Sequence, residues 1–269
     1  MIADTEIELL LNDVLELYGY DFNLYSKASL LRRINRLYSL DKFTSFGNFR
    51  NKIITDKDYF KRFIEEITVN VTEMFRDPYF YKTIRDELLP QLATKPFIRI
   101  WHAGCSTGEE VYSMAILLQE ANLLKKSLIY ATDINPDVLE KAKSGIFPLS
   151  QLRQYSENYI LSAGRQDFSS YYSANYGSAK FNESLSERMI FSTHNLVSDG
   201  SFNEFHLIMC RNVFIYFDKD LQQRVFNLFD ASLEKLGYLA MGSKETLKFS
   251  PLFPKYKQIG KEKIWRKIV

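Results

Sequence analysis

Residues 97–110 read FIRIWHAGCSTGEE, a short apolar run that ends in a glycine turn and two glutamates. Such a run is typical of a buried β-strand, and the apolar spacing of residues 106–122 (STGEEVYSMAILLQEAN) predicts a helix directly behind the turn. A strand followed by a helix begins a βαβ unit, in which successive strands run parallel. This stretch therefore predicts an α/β fold.

The pattern repeats further along the chain. SLIYATDIN (127–135) and FHLIMCRN (205–212) are apolar runs with helix-like segments behind them, and MIFSTHNL (189–196) and YLAMGS (238–243) are two more candidate strands. The series predicts a Rossmann-like fold with a mainly parallel sheet, closed by a hairpin around Gly260. Because ligands bind at the carboxyl ends of such strands, the residues directly behind each strand are the candidates for a site.

Periodicity and composition divide the chain into parts. Residues 1–70 have the apolar spacing of helices and predict a small helical N-terminal domain. Residues 71–96 form a connecting segment with most of an NVTEMFRD motif, and residues 97–269 form the α/β domain. Within it, the stretch 147–188 is rich in Tyr, Ser, Gly and Asn and fits neither period. We expect this stretch to form a small antiparallel β insertion.

The overall composition is that of an ordinary globular protein, since 46% of the 269 residues are hydrophobic and 25% are charged. No run of about 18 apolar residues is present, so we expect no insertion into a membrane. The N-terminus carries acids rather than the basic start of a secretory signal, and the chain has two cysteines. These features favour a cytoplasmic location. We also expect a monomer that binds no metal ion and no nucleic acid.

Basic residues are concentrated near the N-terminus, although the formal net charge is only +2. The stretch from Leu24 to Arg62 contains ten Lys or Arg residues and three Asp residues, an excess of seven positive charges. A basic surface of this kind would attract an acidic partner. A solvated helix face is the alternative, because charge runs commonly have that explanation.

The turn behind the first strand contains Gly104 and Gly108, followed by Glu109 and Glu110. Glycine lets the backbone approach a ligand closely, because no Cβ intervenes. A dinucleotide site would need the spacing GxGxxG, and two glutamates would repel the pyrophosphate at the helix N-terminus. The acids would instead attract an ammonium or sulfonium group, and S-adenosylmethionine carries both. The alternative is a tight turn whose acids stabilise a helix N-terminus.

Asp133 ends the second apolar run. An acid at this place can accept hydrogen bonds from both ribose hydroxyls of a nucleoside. Since Asn135 and Pro136 follow, a helix N-cap is the alternative interpretation. Together with the acidic glycine loop, Asp133 favours an adenosyl group with a positive tail, and therefore S-adenosylmethionine rather than NAD.

Four stretches resemble the motifs of one known family, in its order and spacing: ITVNVTEMFRD (67–77), IRIWHAGCSTGEEVYS (98–113), YATDINPDVLEKAKSGIF (130–147) and IMCRNVFIYFDK (208–219). They are similar to the chemoreceptor glutamate methyltransferase (CheR) family. The resemblance implies methylation of glutamate side chains on chemoreceptors, with S-adenosylmethionine as cofactor and S-adenosylhomocysteine as product. The methylation helices of the receptor would bind the basic N-terminal domain.

The resemblance also implies roles for individual residues. Arg76 and Tyr216 would be catalytic, with Tyr216 near the transferring methyl group and Arg76 holding a carboxylate of the substrate or of the cofactor. Glu110 would bind the methionine ammonium group, and Asp133 the ribose. The other expected cofactor-binding residues are Gly104 in the glycine loop, Asn70 and Thr72 over the cofactor, Asn195 and Leu196 at the adenine, and Cys210 and Arg211 beside the methionine portion.

The implied reaction needs no general base, because a glutamate carboxylate has a reference pKa near 4.3 and is already an anionic nucleophile at neutral pH. Two alternatives stay open. One is a methyltransferase of the same scaffold that acts on a different protein or a small molecule. The other is an inactive, cofactor-binding module with a regulatory role.

The sequence departs from the family's pattern at two places. Val111 stands where the family usually has Pro, at the start of a predicted helix. The usual GHSE near the last parallel strand is Gly242-Ser243-Lys244-Glu245 in this chain. The charge of Lys244 leaves the role of that loop open.

Overall fold

The computed structural model describes residues 2–269, which form two compact units. Unit 1 comprises the described residues up to Asn70 and Ile215–Val225, and unit 2 comprises Val71–Phe214 and Phe226–Val269. The helices are α1 (Asp4–Tyr18), α2 (Lys27–Leu40), α3 (Phe46–Thr55), α4 (Lys57–Thr68), α5 (Pro78–Thr83), α6 (Leu89–Ala93), α7 (Glu109–Glu120), α8 (Pro136–Ser144), α9 (Leu152–Leu161), α10 (Glu183–Ser186) and α11 (Lys219–Ser232). The strands are β1 (Ile98–Ala103), β2 (Ser127–Asp133), β3 (Ile146–Pro148), β4 (Tyr172–Asn175), β5 (Ser178–Phe181), β6 (Met189–Thr193), β7 (Phe205–Cys210), β8 (Leu233–Met241), β9 (Tyr256–Ile259) and β10 (Ile264–Lys267). Across residues 2–269, none of the helices combines the length and apolarity that a membrane crossing requires.

Unit 1 is the predicted helical domain, built from α1 to α4. Apolar residues three or four positions apart line one face of each helix. These faces pack against one another in a core that includes Leu10, Ile34 and Phe63. The side chain of Ser45 caps α3 by accepting a hydrogen bond from the backbone N–H of Asn48 (3.2 Å). The helices are therefore held mainly by the packing of their apolar faces.

A segment from the C-terminal half of the sequence also belongs to unit 1. The backbone N–H of Ser26 donates to the carbonyl of Tyr216 (2.8 Å), and the N–H of Asp218 donates to the carbonyl of Leu24 (3.0 Å). These bonds make the segment before α2 and the segment before α11 a short antiparallel bridge. Local periodicity cannot reveal such a pairing, because its partners are far apart in the sequence.

Many of the basic residues between Leu24 and Arg62 have partners inside unit 1. Arg33 donates to the carbonyl of Glu66 (3.1 Å) and lies over the ring of Tyr216, 5.4 Å from its centre. Arg32, by contrast, is exposed. Ion pairs join Lys27 to Glu8, Arg36 to Glu66, Arg50 to Asp13, Lys52 to Asp56, Lys61 to Asp58 and Arg62 to Asp41.

Unit 2 is built on a seven-stranded sheet in the order β6-β2-β1-β7-β8-β10-β9. The five strands from β6 to β8 are parallel, and β10 pairs antiparallel with β8 and with β9 in the C-terminal hairpin. The predicted Rossmann-like, mainly parallel sheet and its closing hairpin are confirmed. Strand β8 begins at Leu233, earlier than predicted. The strand is irregular there, since the β7–β8 register shifts and Leu236 adopts a left-handed conformation (φ 67°).

The predicted antiparallel insertion is confirmed as a three-stranded sheet in the order β3-β5-β4. It also contains α9, which the sequence pattern did not predict. Leu152, Tyr155 and Tyr159 are buried on this helix, and the side-chain amide of Asn158 donates to the carbonyl of Met74 (3.0 Å). The Tyr- and Ser-rich composition around α9 obscured the helical spacing of its buried residues.

A buried ion pair ties the insertion to the helices of unit 2. Residues Ile84–Leu88, between α5 and α6, are π-helical and carry Arg85, which pairs with Glu120 at the end of α7; the two side chains are 3% and 1% exposed. Glu120 also accepts hydrogen bonds from the hydroxyl of Tyr171 (3.0 Å) and the backbone N–H of Arg165 (2.9 Å). Burial raises the pKa of Glu120, but hydrogen bonds from Tyr159, the backbone N–H of Arg165 and Arg85 outweigh burial and lower it overall.

We expect Glu120→Ala to lower the free energy of unfolding by about 3–5 kcal/mol, because it leaves Arg85 as an uncompensated buried charge. Glu157→Ala is the control: it removes an exposed partner of Arg153 on α9 and should leave stability nearly unchanged. Urea unfolding followed by circular dichroism measures both. Because folding lowers the pKa of Glu120, its contribution is present at neutral pH and is lost as the pH falls through that pKa. The difference in unfolding free energy between wild type and Glu120→Ala should therefore become smaller in acid. Equal losses of stability in Glu120→Ala and Glu157→Ala at neutral pH would contradict the prediction.

Candidate functional site

The carboxyl ends of four parallel strands lie side by side, in the order β6-β2-β1-β7. Candidate residues stand at each end: Asn195 behind β6, Asp133 at the end of β2, Gly104 behind β1 and Arg211 behind β7. Strand β1 pairs with both β2 and β7. The sheet therefore gathers residues from four separate parts of the sequence along one edge.

The glycine loop behind β1 is held against its neighbours by close packing. Gly104 has φ 76° and donates from its backbone N–H to the carbonyl of Thr132 (2.8 Å). A Cβ at Gly104 would lie 2.6 Å from Cγ2 of Val213, and a Cβ at Gly108 would lie 2.8 Å from Cβ of Ala142. Glycine is therefore required at both positions so that the glycine loop can pack against α8 and against the turn behind β7.

The carboxylate of Asp133 joins the glycine loop to the start of α8. Its Oδ2 accepts a hydrogen bond from the backbone N–H of Ser106 (2.9 Å), and its Oδ1 accepts one from the N–H of Asn135 (3.0 Å). The helix cap is Asn135, whose Oδ1 accepts from the N–H of Asp137 (2.9 Å). Burial raises the pKa of Asp133, and the backbone N–H groups of Asn135 and Ser106 act against this rise.

The two glutamates behind the glycine loop have different partners. Glu109 is buried and accepts hydrogen bonds from the hydroxyls of Thr107 (2.6 Å) and Tyr155 (3.3 Å). Glu110 forms a hydrogen bond with Nδ1 of His102 (2.9 Å) and accepts one from the guanidinium of Arg211 (3.1 Å). Glu109 therefore holds the insertion, whereas Glu110 joins the polar groups behind β1 and β7.

Arg211 is the centre of this group of charges, and its side chain is 2% exposed. Besides Glu110, its guanidinium donates to Oδ2 of Asp77 (2.7 Å) and to the carbonyl of Arg76 (2.9 Å). It also lies over the ring of Phe80, 4.0 Å from the centre. A buried guanidinium needs such partners, because the removal of a charge from water costs several kcal/mol.

The charges of this cluster stabilise one another. Burial raises the pKa of Glu110, but the hydrogen bond with His102 and the charge of Arg211 outweigh burial and lower it overall. Burial lowers the pKa of Arg211, but Tyr81, Glu110 and Asp77 outweigh burial and raise it overall. Both side chains are therefore ionised at neutral pH.

The segment that carries Arg76 has an unusual backbone. Phe75 and Asp77, on either side, both have positive φ angles, of 54° and 59°. Such conformations are costly for residues other than glycine and persist only where the surroundings impose them. Here the N–H of Phe75 donates to the hydroxyl of Ser113 (3.0 Å), and Asp77 pairs with Arg211. Among residues 2–269, the half-buried Arg76 side chain has only a long hydrogen bond, to the carbonyl of Val71 (3.5 Å). The backbone is thus anchored, and the guanidinium is loosely held.

Several buried polar atoms behind β1, β2 and β6 have no hydrogen-bond partner among residues 2–269. They are Oγ of Ser106, Nδ2 of Asn135 and Nδ1 of His194. Nε2 of His194 is hydrogen-bonded to the carbonyl of Gly200 (3.1 Å), so it carries the proton and leaves Nδ1 as an acceptor. Buried polar groups without partners are uncommon in folded proteins, and these three offer donors and acceptors to a polar ligand.

The remaining candidate residues are divided between the units. Thr72 is half-buried, and Leu196 and Cys210 are buried; like the residues at the sheet edge, they belong to unit 2. Asn70 and Tyr216 belong to unit 1. The side-chain amide of Asn70 donates to the hydroxyl of Thr68 (3.3 Å), and Tyr216 lies under Arg33.

Sequence reasoning missed three polar residues of this region. Asp77 and His102 are direct partners of Arg211 and Glu110. Glu245 is 4% exposed and accepts hydrogen bonds from the backbone of the turns behind β7 and β8. Asp77 stood next to Arg76 in a motif that was already singled out, so its charge was a usable signal. Glu245 lay in the turn that differs from the family's GHSE, but nothing local showed that it binds the turn behind β7. His102 gave no signal, because it lies inside an apolar strand.

Two family models match the chain. Residues 5–68 match the model of the CheR methyltransferase all-alpha domain, and residues 70–260 match that of the CheR methyltransferase SAM-binding domain. Together the two matches extend over nearly the whole sequence.

Whole proteins with similar sequences agree with the family models. Cher3 of Pseudomonas putida, which carries the provisional name of a methyltransferase, is 46% identical over 98% of this chain and 97% of its own length. The chemotaxis protein methyltransferase of Borreliella burgdorferi is 33% identical over 92% of this chain and 90% of its own length. Chemotaxis protein methyltransferase 1 of Vibrio cholerae is 33% identical over 82% of each chain.

The polar groups of unit 2 fit S-adenosylmethionine, the cofactor of the matched domain. The ionised pair of Glu110 and Arg211 suits a ligand end that has both an ammonium and a carboxylate group. The carboxylate of Asp133 accepts hydrogen bonds from the backbone N–H groups of Ser106, Ile134 and Asn135, and it keeps acceptor capacity for a hydroxyl donor. The unpaired atoms of Ser106 and His194 can be satisfied by the hydroxyl and nitrogen groups of an adenosine.

Proposed function

Because the chain belongs to the CheR methyltransferase family, we propose that it methylates glutamate side chains on chemoreceptors, using S-adenosylmethionine. The observation that carries this proposal is the cluster that the buried Arg211 forms with Glu110 and Asp77 at the carboxyl edge of the parallel sheet. A module released from catalysis would have no need to keep this cluster together with the loosely held Arg76.

We assign the cofactor contacts as follows. Glu110 holds the ammonium group of the methionine portion, and its pair with Arg211 keeps it ionised and oriented. Asp133 accepts hydrogen bonds from the ribose hydroxyls. The backbone at Gly104 lies against the cofactor. The adenine lies between Asn195 and Leu196, Cys210 lies beside the methionine portion, and Asn70 and Thr72 cover the bound molecule.

The proposed reaction requires the protein mainly to position the two reacting groups. When bound, S-adenosylmethionine supplies an electrophilic methyl group. The glutamate of the receptor is ionised at neutral pH and needs no base, so the residues of the site must align its carboxylate and exclude water. Arg76 can hold a carboxylate through two parallel hydrogen bonds. We assign it to the carboxylate of the receptor glutamate, because its guanidinium has only one long hydrogen bond within unit 2. We also assign Tyr216 a role close to the transferring methyl group.

A methyl-transfer assay tests the proposal. The protein is incubated with a tritiated methyl donor and membranes that carry chemoreceptors, and the label on the receptor is then treated with mild alkali. Methyl esters hydrolyse under these conditions and methylated amines do not, so base-labile label is the expected result. Label on another protein would support a different acceptor. Cofactor binding without any label would support an inactive module.

We further propose that unit 1 binds the acidic methylation helices of the receptor. Most of the Lys and Arg residues in the basic stretch form ion pairs within unit 1, so the positive charge available to a partner is concentrated at a few positions. Arg32 on α2 is exposed and is therefore the first candidate for contact with an acidic helix. We also propose that the protein works as a monomer in the cytoplasm.

Arg32→Glu should raise the KM for receptor several-fold at low salt and leave the affinity for S-adenosylhomocysteine unchanged. Exposed charges act mainly on the rate of encounter, and the Debye length shortens to about 8 Å near physiological ionic strength. The difference in receptor KM between Arg32→Glu and wild type should therefore become smaller as salt is added. Lys143→Glu, an exposed reversal on α8 of unit 2, makes the same change in net charge and is the control. Equal KM values for the two variants would argue against docking through α2.

A further inference from the structure

The turn behind β8 contains a buried carboxylate that the proposed mechanism does not use. In Gly242-Ser243-Lys244-Glu245, the middle two residues are exposed, whereas Glu245 is 4% exposed. The departure from the family's usual GHSE therefore falls on solvent-exposed positions. The glutamate, which is common to both patterns, points into the protein.

Glu245 binds backbone groups of two neighbouring turns. Its Oε2 accepts hydrogen bonds from the N–H of Gly242 (2.6 Å), behind β8, and from the N–H of Asn212 (2.9 Å), behind β7. Asn212 is left-handed (φ 62°), a conformation that turns successive N–H groups toward a single anion. Burial raises the pKa of Glu245, and the backbone of Asn212 and Gly242, with smaller contributions from Phe214 and Val213, acts against this rise.

Gly242 is required for this arrangement. A Cβ at this position would lie 2.7 Å from Oε2 of Glu245 and 2.9 Å from the backbone nitrogen of Asn212. Both distances are shorter than real Cβ contacts, so any other residue would force the two turns apart. The turn behind β8 can therefore hold the turn behind β7 only with glycine and glutamate at these two places.

The turn that Glu245 holds carries two residues of the cofactor edge. Arg211 directly precedes Asn212 and pairs with Glu110 and Asp77. Val213 directly follows Asn212, and its Cγ2 occupies the place that a Cβ at Gly104 would take. A shift of the turn would therefore move the guanidinium that orients Glu110, and it would also loosen the packing under the glycine loop.

We propose that Glu245 is a positioning residue of the cofactor site, which sets the turn behind β7 so that Arg211 and Val213 support Glu110 and the glycine loop. The inference rests on the proposed role of Glu110 and Arg211 in holding the methionine portion of the cofactor. Glu245 itself makes no contact with the reacting groups in this scheme. Its effect reaches the cofactor through the turn alone.

Calorimetric titration with S-adenosylhomocysteine tests the proposal, at a temperature where circular dichroism shows each variant to be folded. Glu245→Ala should bind about ten- to hundred-fold more weakly than wild type, the size expected for the loss of hydrogen bonds to a charged group. Glu245→Gln keeps an acceptor oxygen and should recover most of the affinity. In methyl-transfer assays, Glu245→Ala should raise the KM for S-adenosylmethionine more than it lowers kcat. Ser243→Ala and Lys244→Ala, in the same turn, should bind like wild type.

Folded Glu245→Ala with an affinity within twofold of wild type would overturn the positioning role. If that variant does not fold, Gly242→Ala makes the same test, because its Cβ displaces the carboxylate from the turn; unchanged affinity there would likewise overturn the role. Arg211→Met is the reference. If it also leaves the affinity unchanged, the assignment of the cofactor site fails. If it weakens binding and Glu245→Ala does not, only the role of Glu245 fails.

Discussion

Arg211→Met should lower the free energy of unfolding by about 3–5 kcal/mol, because it leaves the carboxylates of Glu110 and Asp77 without their buried cation. It should also weaken S-adenosylhomocysteine binding by about 1.5–3 kcal/mol, the value of hydrogen bonds to a charged group. Denaturant unfolding and calorimetric titration measure the two effects. Since Arg211 opposes the effect of burial on Glu110, the substitution should also raise the pKa of that carboxyl group.

A second substitution separates stability from binding in this cluster. Adding Glu110→Gln to Arg211→Met removes one uncompensated carboxylate, so part of the lost stability should return. Cofactor affinity should not return, because the ammonium group has lost its partner. Arg153→Met removes an exposed arginine and should leave both quantities nearly unchanged. A double variant as unstable as the single one would show that Glu110 and Arg211 are not energetically coupled.

Arg76→Ala should reduce kcat at saturating receptor and cofactor by about 100-fold or more, because misplacement of a reacting group by about 1 Å can have an effect of this size. The fold should be retained, because this segment is anchored by Phe75, Asp77 and the backbone carbonyl of Arg76. The guanidinium of Arg76 takes no part in that anchoring. Single-turnover methyl transfer measures the chemical step, and thermal unfolding checks the fold.

Arg76→Lys distinguishes clamping from charge alone. Lysine keeps the positive charge but cannot form two parallel hydrogen bonds with one carboxylate, so its kcat should fall between those of wild type and Arg76→Ala. S-adenosylhomocysteine affinity should change little in either variant if Arg76 holds the substrate. A large loss of that affinity with unchanged kcat would instead assign Arg76 to the carboxylate of the cofactor.

The sequence predicted individual residues of the site, but it could not predict the long-range contacts between them. Glu110 follows the glycine turn behind the first apolar run and Asp133 ends the second, so the sequence predicts both at the carboxyl edge of a parallel sheet. Nothing local showed that Glu110 meets Arg211, that Glu109 turns instead to Tyr155, or that Arg211 also binds Asp77. These contacts depend on which strands become neighbours, and the order of strands is decided by the folded sheet.

The basic N-terminal stretch is a second example, in which the sequence gives the number of charges but not their partners. The sequence determined its excess of seven charges, because charge is a property of composition. The fold, and not the charge count, shows that Arg36, Arg50 and Arg62 are paired with acids from other segments of unit 1 and that Arg32 stays exposed. A charge count therefore predicted an attractive surface but could not predict which side chains form it.

Apolar periodicity and chain direction are local properties, so they sufficed to predict the α/β class, the helical N-terminal domain and the edge of the sheet at which we expect a ligand. The sequence left α9 hidden, since a Tyr- and Ser-rich composition obscures helical spacing. Three features became visible only in the fold: Ile215–Val225 joins unit 1, Arg85 and Glu120 form a buried pair, and Glu245 binds the turn behind β7. Each of these pairings joins groups that are distant in the sequence, and such pairs leave no periodic trace because only the closed fold brings them together.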